Sequence, residues 1–345
     1  MTAPRHVVIR SAGDYTHLEI TALAISDLPA GHVRIAVEAT GVNYADTIVR
    51  RGLYASAKEL VGWPITPGFE VAGRIEAVAP DVTTFAVGDP VFAVTLFGGY
   101  ASHLTVPAKQ TFALPSGLTM AQAAAIPAVW LTAWYALFEL AHPRPGQTVL
   151  IHSAAGGAGG SMVQLAKIAG CRVVGVVGRT EKVEACRALG ADEVIDKSKE
   201  DLWQRAEALA PKGYDVVLDA NGVETLKASY QHLRRPGKLV VYGFSSMMPR
   251  GGRTRWLKLI LGVLRTPRFH PLNMTNVSSS VMAFNLSYLF DEEHILNDGL
   301  SQLLGWLAEG RLQVPPVTEY PLDRVADAHR DLESGKTVGK LVLIP

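Results

Sequence analysis

Apolar and polar positions alternate with a period near two through the first third of the chain. Positions 7–10, 33–40, 73–78 and 90–94 alternate or cluster apolar residues between Gly, Pro and Asp turns, which predicts strands. Gly88-Asp89 and Gly98-Gly99 punctuate hairpins. From Met120 the pattern changes to alternating strand and helix. Strands are predicted at 149–151, 172–177, 193–195, 214–220 and 238–243, and helices at 180–189, 199–209 and 223–233. That alternation demands a parallel, doubly wound sheet covered by helices on both faces. Positions 281–288 read as a last, exposed strand whose edge invites pairing with a second copy, hence an expected homodimer. Positions 295–307 and 341–344 return to helix and strand and are expected to pack back on the first part. The fold class is thus α/β. The predicted units are a β-rich domain over 1–124 completed by 290–345, and a doubly wound domain over 125–289.

The apolar run 123–138 stops at Glu139 and falls short of a membrane span of about 20 residues. With Pro127 in its first turn it reads as a buried helix.

Chemistry enters at 149–167, where an apolar strand meets a turn, Ala155-Gly156-Gly157-Ala158-Gly159, and then an amphipathic helix. Glycines have no Cβ, so backbone N–H groups and the helix N-terminus can approach a pyrophosphate. Gly156 and Gly159 are read as the turn, and Met162, Val163, Leu165, Ala166 and Ile168 as the buried helix face. The alternative is an ordinary tight loop; the strand–turn–helix setting favours a dinucleotide site. The second strand closes on Val177-Gly178-Arg179-Thr180-Glu181-Lys182. Where an NAD-binding fold places an acid for the ribose 2′-hydroxyl, Val177 and Gly178 offer no side-chain acceptor. Arg179 and Lys182 can neutralise a 2′-phosphate, so NADPH is favoured, with solvated charges at a helix start as the alternative.

A net charge of +1 over 345 residues implies no nucleic-acid partner. Two cysteines rule out a disulfide framework, and the first twenty residues lack an apolar signal segment, so a cytoplasmic location is expected. The stretch 247–271 carries Arg250, Arg253, Arg255, Lys258, Arg265 and Arg268 with no acid, interleaved with Trp256, Leu257, Leu259, Ile260, Leu261, Val263 and Leu264. It is read as a helical lid, apolar toward a substrate and cationic toward water; a peripheral contact with an anionic membrane is the alternative.

Several motifs come in an order that resembles the medium-chain dehydrogenase/reductase superfamily. They are Gly41-Val42-Asn43-Tyr44-Ala45-Asp46, Arg51-Gly52-Leu53-Tyr54, Pro67-Gly68-Phe69-Glu70-Val71-Ala72-Gly73, Val87-Gly88-Asp89-Pro90-Val91, Ala154-Ala155-Gly156-Gly157 and Leu189-Gly190-Ala191-Asp192. Within it the chain resembles the zeta-crystallin-type quinone oxidoreductases. Val241-Tyr242-Gly243 and 284–289 bring it closest to the vesicle amine transport protein homologs. The resemblance implies a GroES-like β domain and a Rossmann domain with the active site between them. Zinc-dependent relatives carry a cysteine near Val42 and a Gly-His-Glu where this chain has Gly68-Phe69-Glu70, and the four-cysteine lobe is missing, so no zinc is expected.

Hydride addition to the conjugated carbon of an enone or quinone then becomes the expected chemistry, with NADPH as donor and a small electrophile (quinone, enone, enal or enoyl thioester) as partner. The same resemblance implies roles for individual residues. Tyr54 would be the proton donor or oxyanion partner, against a packed loop tyrosine, and Asn43 would bond near the nicotinamide ribose or the substrate carbonyl, against a turn asparagine. Thr132 would face the cofactor, and Tyr242, Gly243 and Phe244 would lie by the pyrophosphate and nicotinamide. Phe284, Asn285 and Leu286 would reach the carboxamide, Asn221 the adenosine side and Lys340 the cleft rim. Asp46 and Glu70 would hold the geometry.

Overall fold

The computed structural model describes residues 3–248 and 256–345. Its first large sheet runs Val317–Pro321, Lys340–Ile344, His32–Val42, Glu70–Val78, Pro90–Val94, Thr111–Ala113 in spatial order, with His103–Pro107 also paired to His32–Val42. The alternation is visible in the long central strand, where Val33, Ile35, Val37 and Ala39 are buried and Glu38 is exposed. The carboxy-terminal strand enters this sheet antiparallel to His32–Val42, pairing Leu341 with Val42.

The second sheet has six parallel strands in the order Glu193–Asp196, Arg172–Val177, Thr148–His152, Tyr214–Asp219, Leu233–Val241, Ser279–Ala283. Every residue of Tyr214–Asp219 is buried, as a central strand covered on both faces requires. The strand order reverses beside Thr148–His152, so the loops after that strand and after Tyr214–Asp219 flank the switch point where such sheets bind ligands.

Local chemistry trims several expected elements. Asp201 accepts from Trp203 N and Gln204 N, so the helix expected at 199–209 begins at Leu202. Asp219 accepts from the N–H groups of Asn221 and Gly222 and from the Thr225 hydroxyl, which turns the chain until the helix Leu226–Gln231. The expected strand 281–288 ends at Ala283, because Asn285 caps a single helical turn at Leu286–Leu289.

Pro127 does stand in the first turn of a buried helix, Pro127–Trp134. Met120–Ala141 is long and apolar enough to cross a membrane by composition, yet 72% of its most apolar 18 residues are buried inside the fold. It packs in one continuous core with Ala72 and Phe92 from the first sheet and Ile151 and Leu218 from the second. In the basic apolar stretch, Trp256–Arg265 is a helix; Arg250, Arg253 and Arg255 lie outside the described residues.

Candidate functional site

The glycine turn connects the strand Thr148–His152 to the helix Gly157–Ile168, with Gly156 as the extended residue before it. Ser153 holds a positive φ of 57° at the turn. The tight positions are Gly157 and Gly159. A Cβ on Gly159 would stand 2.2 Å from the Ser153 carbonyl oxygen, and one on Gly157 2.9 Å from Val129 Cγ1. Gly156, expected to form the turn, has its nearest obstacle at 3.4 Å. The first-turn N–H groups of Gly157, Ala158 and Gly159 have no acceptor within their own helix.

A strap from the far end of the chain lies over this turn. Gly339 N donates to the Ala155 carbonyl at 3.3 Å, and Gly339 pairs with Gly156 as an isolated bridge. A few residues earlier on the strap, Ser334 O and Thr337 O accept from Arg179 Nη2 at 3.4 Å and Lys182 Nζ at 2.5 Å. Burial, and then the neighbouring Arg179, lower the pKa of the Lys182 ammonium. Gly178 beside them is exposed. Two cations thus sit together at the end of the second strand with neutral carbonyl oxygens for partners, a setting an anion would improve.

On the same side, Asn221 Oδ1 accepts from Ser153 Oγ at 3.2 Å and Ser245 Oγ at 3.4 Å. Tyr242 Oη points back to the His152 carbonyl at 3.4 Å, and burial pushes its pKa up. Gly243 passes close to the preceding loop, since a Cβ there would be 2.8 Å from Ala220 O. Phe244 is exposed, whereas Phe284 is half-buried against the Tyr135 ring at 4.9 Å. Leu286 packs on the central core. The Thr132 hydroxyl is engaged within its own helix, donating to Ala128 O at 2.7 Å.

Asn43, Glu70 and Lys340 form a second group. Lys340 Nζ lies 2.6 Å from Glu70 Oε1 and bonds Asn43 Oδ1; Asn43 Nδ2 donates to Glu70 Oε1 at 2.8 Å. Glu70 Oε2 accepts from Ala128 N at 2.7 Å, tying the group to the core helix. Lys340 was expected at the cleft rim, but it is buried; as the first residue of its strand it is drawn inward by a buried carboxylate. Both ends of the Asn43 amide therefore have protein partners.

Beneath lies a buried polar chain of which sequence alone singles out only Asp46. Asp46 accepts from Asn43 N at 2.7 Å, Gly68 N at 3.0 Å and the Tyr100 hydroxyl at 3.0 Å. Burial raises its pKa to about 7. Tyr100 Oη in turn is 3.2 Å from His329 Nε2, and Arg50 Nη1 is 3.1 Å from His329 Nδ1. A guanidinium only donates, so Nδ1 is the acceptor and Nε2 carries the proton. Burial, then Arg50 and Arg51, hold the His329 pKa well below its ordinary value. Glu333 closes the chain, 2.6 Å from Arg50 and 2.7 Å from Arg51.

Tyr54 packs edge-on against Phe69 and Phe97, with ring centroids 6.0 and 6.3 Å away. Its hydroxyl donates to Asn285 Oδ1 at 2.7 Å and meets Ser287 Oγ at 3.0 Å. Burial raises its pKa. Asn285 and Ser287 immediately follow the edge strand of the parallel sheet, so Tyr54 sits at the seam between the two halves. Ser287 lies within the motif at 284–289 but carries no expected role there; its backbone N–H donates to Asn285 Oδ1, which sets the turn. Among the described residues, no group of three or more His, Cys, Asp or Glu side chains could hold a metal ion.

Residues 29–116 match the family described as alcohol dehydrogenase GroES-like domain, and residues 189–343 that described as zinc-binding dehydrogenase. The synaptic vesicle membrane protein VAT-1 homolog of Rattus norvegicus is 31% identical over 350 residues, covering 99% of this chain and 84% of the relative. The chain spans 64% of the length of the Danio rerio homolog, at 32% identity. Among solved structures, the Escherichia coli quinone oxidoreductase complexed with NADPH superposes with a TM-score of 0.86 at 28% identity, covering 99% of this chain and 100% of that one. The CurK enoyl reductase superposes at 0.84 and 27% identity, covering 99% of each chain. A GroES-like sheet joined to a six-stranded parallel sheet through one core, with these likenesses over nearly its whole length, makes this chain a member of the medium-chain dehydrogenase/reductase superfamily, in the quinone oxidoreductase group that also holds the VAT-1 homologs.

Proposed function

We propose that this protein is a zinc-independent, NADPH-dependent reductase of quinones or α,β-unsaturated carbonyls. The observation that carries the reading is the pair Arg179 and Lys182 at the end of strand Arg172–Val177, where this fold holds the adenosine ribose. The residues fit the cofactor. Gly157 and Gly159 keep the cradle free of Cβ atoms, and the helix Gly157–Ile168 offers its N-terminus to a pyrophosphate. Likeness to a quinone oxidoreductase complexed with NADPH supports the same choice.

Bound there, NADPH supplies a hydride to a conjugated carbon. Arg179 and Lys182, which now donate to the Ser334 and Thr337 carbonyls, would hold its 2′-phosphate, a charge-assisted and stronger partner. Charge developing on the substrate oxygen needs a fixed donor. Tyr54, held as a phenol by its raised pKa, turns its proton from Asn285 to that oxygen. Asn43, Glu70 and Lys340 hold one another through hydrogen bonds and an ion pair, and Asn43 is anchored in turn by Asp46. The test is NADPH oxidation against a panel of quinones, enals, enones and enoyl thioesters; inertness toward all of them refutes the reading.

A second reading, a membrane- or lipid-associated NADPH-binding protein with secondary reductase activity, draws on the exposed Leu257 and Leu264 of helix Trp256–Arg265. Co-sedimentation with anionic liposomes, lost on charge reversal of Arg253, Arg255 and Lys258, would favour it. The edge strand Ser279–Ala283 supports a homodimer, to be checked by sedimentation.

A further inference from the structure

We propose that the reductase site continues into an apolar subsite for a long hydrocarbon tail, so that the substrates are enals, enones or quinones bearing an alkyl or prenyl chain. This rests on the reductase reading and adds the substrate class. The subsite is a cleft of about 440 Å³ between helix Trp256–Arg265, the Met247–Met248 segment and Leu53.

Three observations carry it. The first is position. Leu53 lines the cleft and directly precedes Tyr54, so their Cα atoms are about 3.8 Å apart. One wall of the cleft is thus the chain neighbour of the residue whose phenol is assigned to the substrate oxygen.

The second is lining. Leu53, Met247, Met248, Leu259, Ile260 and Val263 offer hydrocarbon and thioether surface and no charged or hydrogen-bonding side chain. Ile260, Val263 and Leu264 follow helical spacing on one face, and they stay 55%, 64% and 76% exposed while lining the cleft. Walls this apolar and this wet gain from an occupant that removes them from water. Met247 and Met248, which also line it, adapt to a flexible chain rather than to one rigid shape.

The third is the fit of the helix. A Cβ on Gly262 would stand 3.1 Å from Met247 Cε and 3.2 Å from Met247 Cγ, so glycine lets the helix rest closely on Met247 at the edge of the cleft.

The test measures NADPH-dependent turnover of crotonaldehyde, 2-octenal and 2-dodecenal by the full chain. KM is expected to fall about twofold to fourfold for each methylene added, until the cleft is filled. In the double variant Ile260→Asp/Val263→Asp, the ratio of kcat/KM for dodecenal over crotonaldehyde should fall about tenfold or more. Met248→Asp, outside the helix but in the same lining, should act in the same direction, and circular dichroism of each variant checks that it is folded. A flat chain-length profile with short enals still reduced overturns the subsite and leaves the reductase standing. So does an undiminished slope in both variants, or a flat profile with co-sedimentation on phosphatidylserine vesicles, which would give this face to a membrane. If enals, enones and quinones of every length are inert, the reductase reading falls and the subsite with it.

Discussion

Tyr54 donates a 2.7 Å hydrogen bond to Asn285 Oδ1, joining residues 231 positions apart. The bond runs from the GroES-like half to the segment that follows the edge of the parallel sheet, and it fixes the phenol without any ligand. Tyr54→Phe removes this donor while keeping the ring contacts with Phe69 and Phe97. We expect kcat to fall about a hundredfold, as for loss of an oxyanion donor, with little change in NADPH binding. Steady-state kinetics with a titration of cofactor fluorescence decides; unaltered turnover removes Tyr54 from the mechanism. Because burial raises its pKa above 10.0, the phenol should add no alkaline limb to the rate profile below that pH.

Arg179 donates to a neutral carbonyl at 3.4 Å and stands next to a second cation, Lys182. Arg179→Asp should raise KM for NADPH by about tenfold to a hundredfold, since it both removes a phosphate contact and adds repulsion. KM for NADH should move far less. Equal effects on the two cofactors would contradict the phosphate assignment.

Lys340 and Glu70 are both buried, with 2.6 Å between Nζ and Oε1. Lys340→Met leaves a carboxylate without its counter-charge and should cost about 3–5 kcal/mol in chemical denaturation. Adding Glu70→Gln should recover part of that loss. If the single and double variants are equally destabilised, the ion pair is not what the lysine supplies.

His329 is neutral in the fold, accepting from Arg50 and donating to Tyr100. Its folded pKa lies well below the 6.5 of a free imidazole. Above that value both states are neutral and its contribution to stability is complete. As pH falls below it, the unfolded chain takes up a proton the fold refuses, and stability declines. Asp46 works the other way: with its pKa raised from 3.8 to about 7, the fold takes up a proton first as the pH drops. His329→Gln should therefore weaken the acid-side loss of Tm relative to the parent between about pH 6.5 and pH 5, in the direction set by linkage. An unchanged difference in Tm across that window would show that His329 does not titrate as described.

The sequence by itself determined what depends on neighbours in the chain. Period-two strands, the βα alternation, the strand–turn–helix around Gly157 and the proline-started helix at Pro127 follow from steric preference and local burial, which act over a few residues. The cations after Val177 were legible for the same reason, since a strand end places its next residues at the ligand edge. Tertiary structure alone decided which polar groups meet. Lys340 reaches Asn43 across 297 positions, and Arg50 reaches Glu333 across 283. Nothing in the periodicity of either segment encodes such pairs, because they arise where the strand order of one sheet and the packing of two helices bring distant segments side by side, and the charges left between them must find partners or lose hydration.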